Sequence, residues 1–180
     1  MHRLGNKNLF PYGHPYSWLT IGYIEDLNRV NVQDLKNFFL RWYGPNNAVV
    51  TVGGDVQTKD VVKMVEKYFG KIPQCPKVEK TILPAPKLEA DRYVSMMDQY
   101  AKIPMLVCAL PGVPARHPDE VALDCLAEIL GGDNNSILYQ RLVKTQKALS
   151  ASSFNPTDEL AGSFQFSVTP KPGTPLSEME

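Results

Sequence analysis

Apolar side chains recur with a helical period between residues 32 and 42, so one face of the predicted helix is strongly apolar. Asn31 stands where an N-cap is expected, and Asp34 follows it at the spacing of a capping box. Turn residues end the pattern directly after Trp42. At this spacing we expect the aromatic side chains to pack in a core rather than to form a peptide-binding stripe; they are Phe38, Phe39 and Trp42.

A strand and a second helix are predicted next. The apolar, β-branched run at residues 48–52 is bounded by turn residues and is typical of a buried strand. A second amphipathic helix is predicted from Thr58, as its cap, to Phe69, with Gly70 in the position that ends a helix. This helix, strand and helix cannot close a core, because a buried strand needs neighbours on both edges. We therefore expect them to be the tail of a larger domain.

From residue 91 onward the pattern alternates between short strands and helices separated by turn residues. The last strand alternates phenylalanine and valine with polar residues, which predicts one solvated face. The predicted elements are strands at 93–97 and 105–110, a helix capped by His117 with Pro118 at its first position, a helix opened by Ser136, and strands at 149–154 and 163–168.

A proline-rich segment separates the two patterns. Residues 71–87 contain four prolines with charged residues between them, which is the composition of an extended, semi-rigid connector. We place the linker itself at residues 73–90. Residues 175–180 have the pattern of a first helical turn, so we expect the chain to be a segment of a longer polypeptide.

Composition and charge narrow the functional classes. Of 180 residues, 43% are hydrophobic and 21% charged, as in soluble globular chains. Lys and Arg number 19, as do Asp and Glu, so the formal net charge is zero and there is no broad cationic field for nucleic acid. The apolar run at 105–110 is too short to cross a bilayer, and residues 1–10 lack the apolar centre of a signal peptide. We expect no nucleic-acid partner and no membrane partner.

Histidine and cysteine limit the chemistry further. The three histidines include no H-x-x-E-H motif, and no two of them could share one helical face. The three cysteines form no C-x-x-C pair, which excludes a zinc knuckle and a thioredoxin-type dithiol. We expect Cys108 and Cys125 to be small buried hydrophobic residues. A cysteine hydrolase would need a neighbouring histidine, for which the sequence supplies no pairing.

A series of motifs, in this order and spacing, resembles the pitrilysin/insulinase family of zinc metallopeptidases over nearly the whole chain. The motifs are Pro11-Tyr12-Gly13-His14-Pro15-Tyr16, Trp42-Tyr43-Gly44-Pro45-Asn46-Asn47-Ala48, Gly54-Asp55, Tyr68-Phe69-Gly70-Lys71-Ile72-Pro73, Leu130-Gly131-Gly132, Leu138-Tyr139 and Arg141-Leu142. The match begins after the positions of the zinc motif of that family, so the resemblance implies the region called the inactive domain.

The resemblance implies an α+β fold, with helices packed on a mostly antiparallel sheet, present as the end of one repeat and the start of the next. Residues 1–72 would be the C-terminal part of a first repeat, and residues 91–180 the N-terminal part of a second, non-catalytic repeat. Zinc would belong to the parent protein and not to this chain. No catalytic, metal-binding or cofactor-binding residue is assigned here.

By resemblance, the function is that of a non-catalytic segment of a zinc-dependent endopeptidase. It would pack against the catalytic domain of the same polypeptide, or against a partner subunit, and help form a chamber for peptide substrates. The alternative is a scaffold or interaction subunit whose parent has lost the zinc motif. The compartment is open, and the resemblance gives a weak preference for the bacterial periplasm.

Three local features have both a structural and a functional interpretation. The loop at residues 131–135 lies where, by resemblance, some relatives have a glycine-rich loop facing the chamber, but capping preferences favour a helix end followed by a helix start. We interpret His14 as a structural turn residue rather than a base. We interpret Glu25 and Asp26 as solvated carboxylates rather than a cation site.

Overall fold

The computed structural model describes residues 2–79, 83 and 86–179. The chain forms two compact units: a helical unit of residues 21–81, and a sheet unit of residues 1–20 and 82–180. In chain order the helices are α1 (His2–Leu9), α2 (Ile24–Leu27), α3 (Val32–Trp42), α4 (Thr58–Phe69) and α5 (Glu120–Gly131), and the strands are β1 (Leu106–Gly112), β2 (Ala148–Phe154) and β3 (Gly162–Pro170). The predicted division into repeats at residues 72 and 91 stays a prediction.

Helix α3 confirms the predicted capping box. The Asn31 side chain accepts hydrogen bonds from the backbone N–H groups of Gln33 and Asp34, at 2.8 and 3.1 Å. The Asp34 carboxylate accepts in return from the Asn31 N–H at 3.0 Å. Two of the orphan donors at the helix start are thereby paired, and Asn31 is the N-cap that directly precedes the first helical residue, Val32.

Helix α4 spans the predicted residues with different ends. Gln57 is the N-cap and makes no side-chain capping bond, so Thr58 is the first helical residue rather than the cap. Gly70 has a right-handed backbone, φ −64°, and donates its N–H to the carbonyl of Glu66. The prediction of Gly70 as the residue just beyond the helix is therefore wrong: it is the C-cap and lacks the left-handed backbone common at the next position.

The buried strand predicted at residues 48–52 is wrong. The segment is irregular and unpaired in the described part of the helical unit, and Val49 is 93% exposed. The expectation of core packing on α3 is wrong for Phe38 and Phe39, which are 56% and 57% exposed, whereas Trp42 is half-buried. Both results have one cause: two helices of 11 and 12 residues with one extended segment have too little surface to bury their own apolar faces.

Two hydrogen bonds of the Asn46 side chain hold the segment around Cys75 against the middle of the helical unit. We call this pair of bonds the amide clasp. The side chain of Asn46 accepts from the N–H of Cys75 at 2.9 Å and donates to the Cys75 carbonyl at 3.0 Å, as a neighbouring strand would. Gly44 lies so close to Cys75 that an added Cβ would be 2.5 Å from its side chain. The clasp gives the Gly-Pro-Asn-Asn motif a structural role.

The sheet confirms the predicted fold class. Its order is β1-β3-β2 and both pairings are antiparallel, with Cys108 opposite Phe166 and Ser152 opposite Ser167. The strands predicted at 105–110, 149–154 and 163–168 are confirmed within two residues at each end. The predicted solvated face of β3 is wrong at its start, because the polar Ser163 is as buried as Phe164.

The strand predicted at residues 93–97 is wrong. Those residues are irregular, and both Tyr93 and Met97 are strongly exposed. Their β-branched and aromatic content suits a strand, but a strand forms only where a second backbone offers its ladder of hydrogen bonds.

Helix α5 begins at Glu120, later than predicted, because the residues from His117 to Asp119 form a turn in front of it. The helix packs closely on β2: Ser153 donates its hydroxyl to the carbonyl of Ala127 at 2.7 Å. The predicted helix at Ser136 is present as a short helical turn that continues as a π-helix over Tyr139–Val143.

Two small clusters form the core of the sheet unit. Leu9, Phe10 and Ala161 make one, and Ala148, Val168 and Met179 make the other. The cysteine expectation fails, because Cys108 and Cys125 are exposed whereas Cys75 is buried.

Candidate functional site

No metal site is present among residues 2–79, 83 and 86–179. They contain no group of three or more His, Cys, Asp or Glu side chains that could hold an ion. A zinc site needs three or four such ligands at about 2.0–2.3 Å. The described residues therefore do not fit the zinc that the resemblance implies for the parent, and we assign no step to that metal here.

His14 lies in the aromatic core of the sheet unit. It precedes the short 3-10 helix Pro15–Ser17 and its Nδ1 accepts the backbone N–H of Tyr16 at 3.1 Å, so it is a turn residue as predicted. Its ring stacks on Phe10 at 4.9 Å and lies edge-on to Tyr16 at 5.1 Å. Burial lowers the pKa of His14 from its ordinary value, because the charged imidazolium loses its solvent.

The loop at residues 131–135 is held by its own hydrogen bonds. Asp133 accepts the N–H of Asn135 at 2.7 Å through its carboxylate, and the hydroxyl of Ser136 at 2.6 Å through its carbonyl. Gln140 donates to the Asn134 carbonyl at 2.7 Å. These bonds are those of an Asx turn and of the helical turn that follows it. The helix-end half of the capping interpretation is found, since Gly132 ends α5 by donating its N–H to the Glu128 carbonyl, but no side-chain capping bond begins the π-helix.

The predicted carboxylate pair lies on α2. Glu25 and Asp26 are both exposed, and the Asp26 carbonyl accepts the N–H groups of Arg29 and Val30 that close the following turn. The contribution of Asp26 to the turn thus comes from its backbone.

Glu120 joins two loops of the sheet unit, and sequence reasoning missed it. Its carboxylate accepts the hydroxyl of Thr157 and the N–H of Arg116, each at 2.6 Å. The Thr157 hydroxyl bond, followed by the Arg116 N–H bond, lowers the pKa of Glu120. Arg116 has a positive φ of 66°, so the carboxylate holds a turn that a non-glycine residue rarely adopts. Glu120 and Thr157 are 37 positions apart in the sequence, so no local pattern signals this contact.

The helical unit exposes apolar side chains on three of its segments. We call this set the apolar face: on α3 Val32, Leu35, Phe38, Phe39 and Leu40; in the extended segment Val49, Val50 and Val52; and on α4 Val62, Tyr68 and Phe69. On α3, the side chains of Val32, Leu35, Phe39 and Leu40 line one open depression. All of these side chains are exposed. Burying one of them completely would contribute about 1.5–3 kcal/mol. A surface of this kind marks an interaction site in soluble proteins.

Comparison with known proteins identifies the class of protein that this fold defines. The family model described as the peptidase M16 inactive domain matches residues 29–179. The chain is 30% identical over 151 residues to the zinc protease PqqE of Helicobacter pylori, which is 82% of this chain and 33% of that protein. Over 160 residues it is 24% identical to a probable mitochondrial-processing peptidase subunit beta of Arabidopsis thaliana, covering 83% of this chain and 30% of that one.

Solved structures agree with the sequence relatives. A protease from Helicobacter pylori has a TM-score of 0.67 at 27% identity, covering 92% of this chain and 41% of that chain. The peptidase M16 inactive domain from Pseudomonas fluorescens has a TM-score of 0.72 at 20% identity, covering 93% and 40%, which shows the shared fold. The chain belongs to the peptidase M16 family and corresponds to its inactive domain, as the sequence motifs indicated. It spans about a third of the length of the relative PqqE.

Proposed function

We propose that this chain is the non-catalytic part of a zinc-dependent endopeptidase, and that it packs against the catalytic part of the same polypeptide or of a partner subunit. Together they would enclose the chamber in which peptides are hydrolysed. The catalytic zinc and its ligands would lie in the other part, and this chain would supply walls of the chamber.

The apolar face of the helical unit is the observation that carries the proposal. The side chains of Leu35 and Phe39 project from a helix that is capped and regular, so their exposure is not the result of a poorly formed element. An exposed apolar surface on an ordered helix is expected where further polypeptide covers that helix in the complete protein. The family relationship supports the catalytic part as that polypeptide, since relatives such as PqqE are named zinc proteases.

Substitution of the apolar face tests this packing in the full-length protein. We expect Leu35→Asp and Phe39→Asp each to lower the Tm and to reduce peptide hydrolysis at least about tenfold, because a carboxylate buried without a partner costs several kcal/mol. Asn37→Asp is the matched control, since Asn37 is an exposed polar residue of the same helix. Thermal unfolding and hydrolysis of an unfolded peptide are measured on all three variants.

Equal behaviour of Leu35→Asp, Phe39→Asp and Asn37→Asp in the full-length protein would contradict the proposal. A scaffold subunit without a zinc motif would show the loss of Tm in the two apolar-face variants with no hydrolysis in any variant, including the unsubstituted protein.

The compartment of this chain would be that of the full-length protein. Relatives by sequence or fold include a periplasmic protease, PqqL of Escherichia coli, and mitochondrial-processing peptidases. No helix in the described ranges is both long and apolar enough to span a bilayer. We propose the bacterial periplasm as the compartment.

A further inference from the structure

Residues 9–17, which we call the strap, are held on the sheet unit by contacts with residues far along the chain. Leu9 and Phe10 are buried with Ala161, next to the partly buried Leu88 and Ala109. Just before the strap, Arg92 donates to the carbonyl of Asn8 at 2.7 Å. Within it, the hydroxyl of Tyr16 accepts the N–H of Leu160 at 3.1 Å. These contacts hold the strap against the loop that joins β2 to β3.

His14 is the polar residue at the centre of the strap, and it fits its surroundings only when neutral. It is 4% exposed, and its Nδ1 accepts the Tyr16 N–H, so the neutral ring carries its proton on Nε2. Nε2 is buried and has no hydrogen-bond partner among the residues that the structure describes. Even in the neutral ring, the Nε2–H donor therefore has no hydrogen-bond acceptor among the described residues.

Protonation of His14 would create two conflicts. Nδ1 would become a donor facing the Tyr16 N–H, which is itself a donor, and a full charge would stand in an aromatic cluster with Phe10. The titratable groups of the packed elements are His2, Arg3 and Lys7 on α1, Tyr16 beside His14, Cys108 on β1, Asp158 and Glu159 in the loop before Ala161, Lys87 and Glu89 flanking Leu88, and Arg92. The Tyr16 hydroxyl accepts the Leu160 N–H. Burial is what lowers the pKa of His14.

We propose that the strap is an acid-sensitive latch: protonation of His14 releases residues 9–17 from the loop between β2 and β3. The direction follows from linkage. The neutral ring is favoured in the closed strap, so closure is fully stable above the ordinary histidine pKa of about 6.5 and weakens as the pH falls below it. Release of residues 9–17 would detach them from the rest of the sheet unit without any covalent change.

The chain contains its own comparison for this latch. His117 also precedes a proline, and its Nδ1 also accepts the N–H of the residue two positions on, Asp119, at 3.2 Å. Its side chain, however, is 39% exposed and lies 3.6 Å from the Asp119 carboxylate. Solvent and the carboxylate can accommodate a charge there, so protonation of His117 should open nothing.

Hydrogen exchange of the 180-residue chain between pH 7.5 and 5.0, corrected for the intrinsic pH dependence of exchange, tests the latch. In the unsubstituted chain and in His117→Asn, the opening constant at the Leu160 and Tyr16 amides should rise by up to about tenfold for each pH unit below about 6.5. In His14→Asn it should not change with pH, because an asparagine oxygen accepts the same N–H and does not titrate. No pH dependence in the unsubstituted chain, or the same dependence in His14→Asn, would overturn the proposal.

A second measurement covers the case in which His14→Asn fails to fold. NMR titration of the unsubstituted chain should place the His14 ring below the ordinary histidine pKa, with its titration coincident with the loss of protection at Leu160. A His14 titration at or above about 6.5 would overturn the latch.

Discussion

Replacement of Gly131 by alanine should destabilise the sheet unit by about 2–4 kcal/mol, which is a large part of the stability of a small domain. An added Cβ would lie 2.2 Å from the backbone nitrogen of Ser153 and 2.6 Å from the carbonyl carbon of Ser152. The backbone of β2 is hydrogen-bonded to β3 and cannot move aside as a flexible side chain can. The alanine would therefore separate α5 from β2 and break the bond from Ser153 to the Ala127 carbonyl.

The neighbouring glycine is a matched control for Gly131. The atoms nearest to a Cβ on Gly132 would be those of the Glu128 carboxylate, which is the far end of a flexible side chain. The backbone of Gly132 is right-handed at φ −79°. We expect Gly132→Ala to be neutral or to stabilise by up to about 1 kcal/mol. Urea unfolding can be followed through Trp18 in a Trp42→Phe background, since the two tryptophans lie in different units. Equal effects of the two alanines would contradict the close packing of α5 on β2.

Truncation of Phe10 to alanine should cost about 3 kcal/mol, at the lower end for a buried phenylalanine because the cluster is small. Phe10 is 7% exposed and supports the rings of both His14 and Tyr16, at 4.9 and 5.5 Å. Its loss removes the apolar contact that fixes the strap. We expect hydrogen exchange at the Leu160 amide to accelerate at neutral pH, where His14 is uncharged.

Tyr12 provides the control for Phe10, since it is an aromatic residue two positions away and fully exposed. Tyr12→Ala should change the free energy of unfolding by no more than about 0.5 kcal/mol. The same Trp18 fluorescence measurement applies to both variants. If Phe10→Ala were as mild as Tyr12→Ala, the strap would not be part of the core.

The elements that the sequence predicts well are those whose cause is local. The capping box of Asn31 and Asp34 and the apolar period of α3 lie within a dozen residues, and both are found in the structure. The runs at residues 48–52 and 93–97 have strand composition too, but a strand requires a partner backbone, which no local pattern reports. At residues 48–52 and 93–97 the strand propensity is present, but neither run pairs with another strand in the described part of the chain.

The same distinction applies to the functional features. The family motifs identify the inactive domain from sequence, because they recur in order along the chain. The apolar face of the helical unit was visible as a period, but a period does not tell whether further chain covers it. The links from Asn46 to Cys75 and from Glu120 to Thr157 depend on the folded path of the chain. Phe10, on which the His14 ring stacks, is buried with Ala161, 151 positions later.

Zinc content and peptide hydrolysis, measured side by side on this chain and on the full-length protein, test the central claim most directly. We predict no stoichiometric zinc and no cleavage for the 180-residue chain alone, and zinc-dependent cleavage for the full-length protein that is lost when this segment is removed. One tightly held zinc per 180-residue chain, or cleavage of an unfolded peptide by that chain alone, would contradict the assignment of this segment as the non-catalytic part of a peptidase.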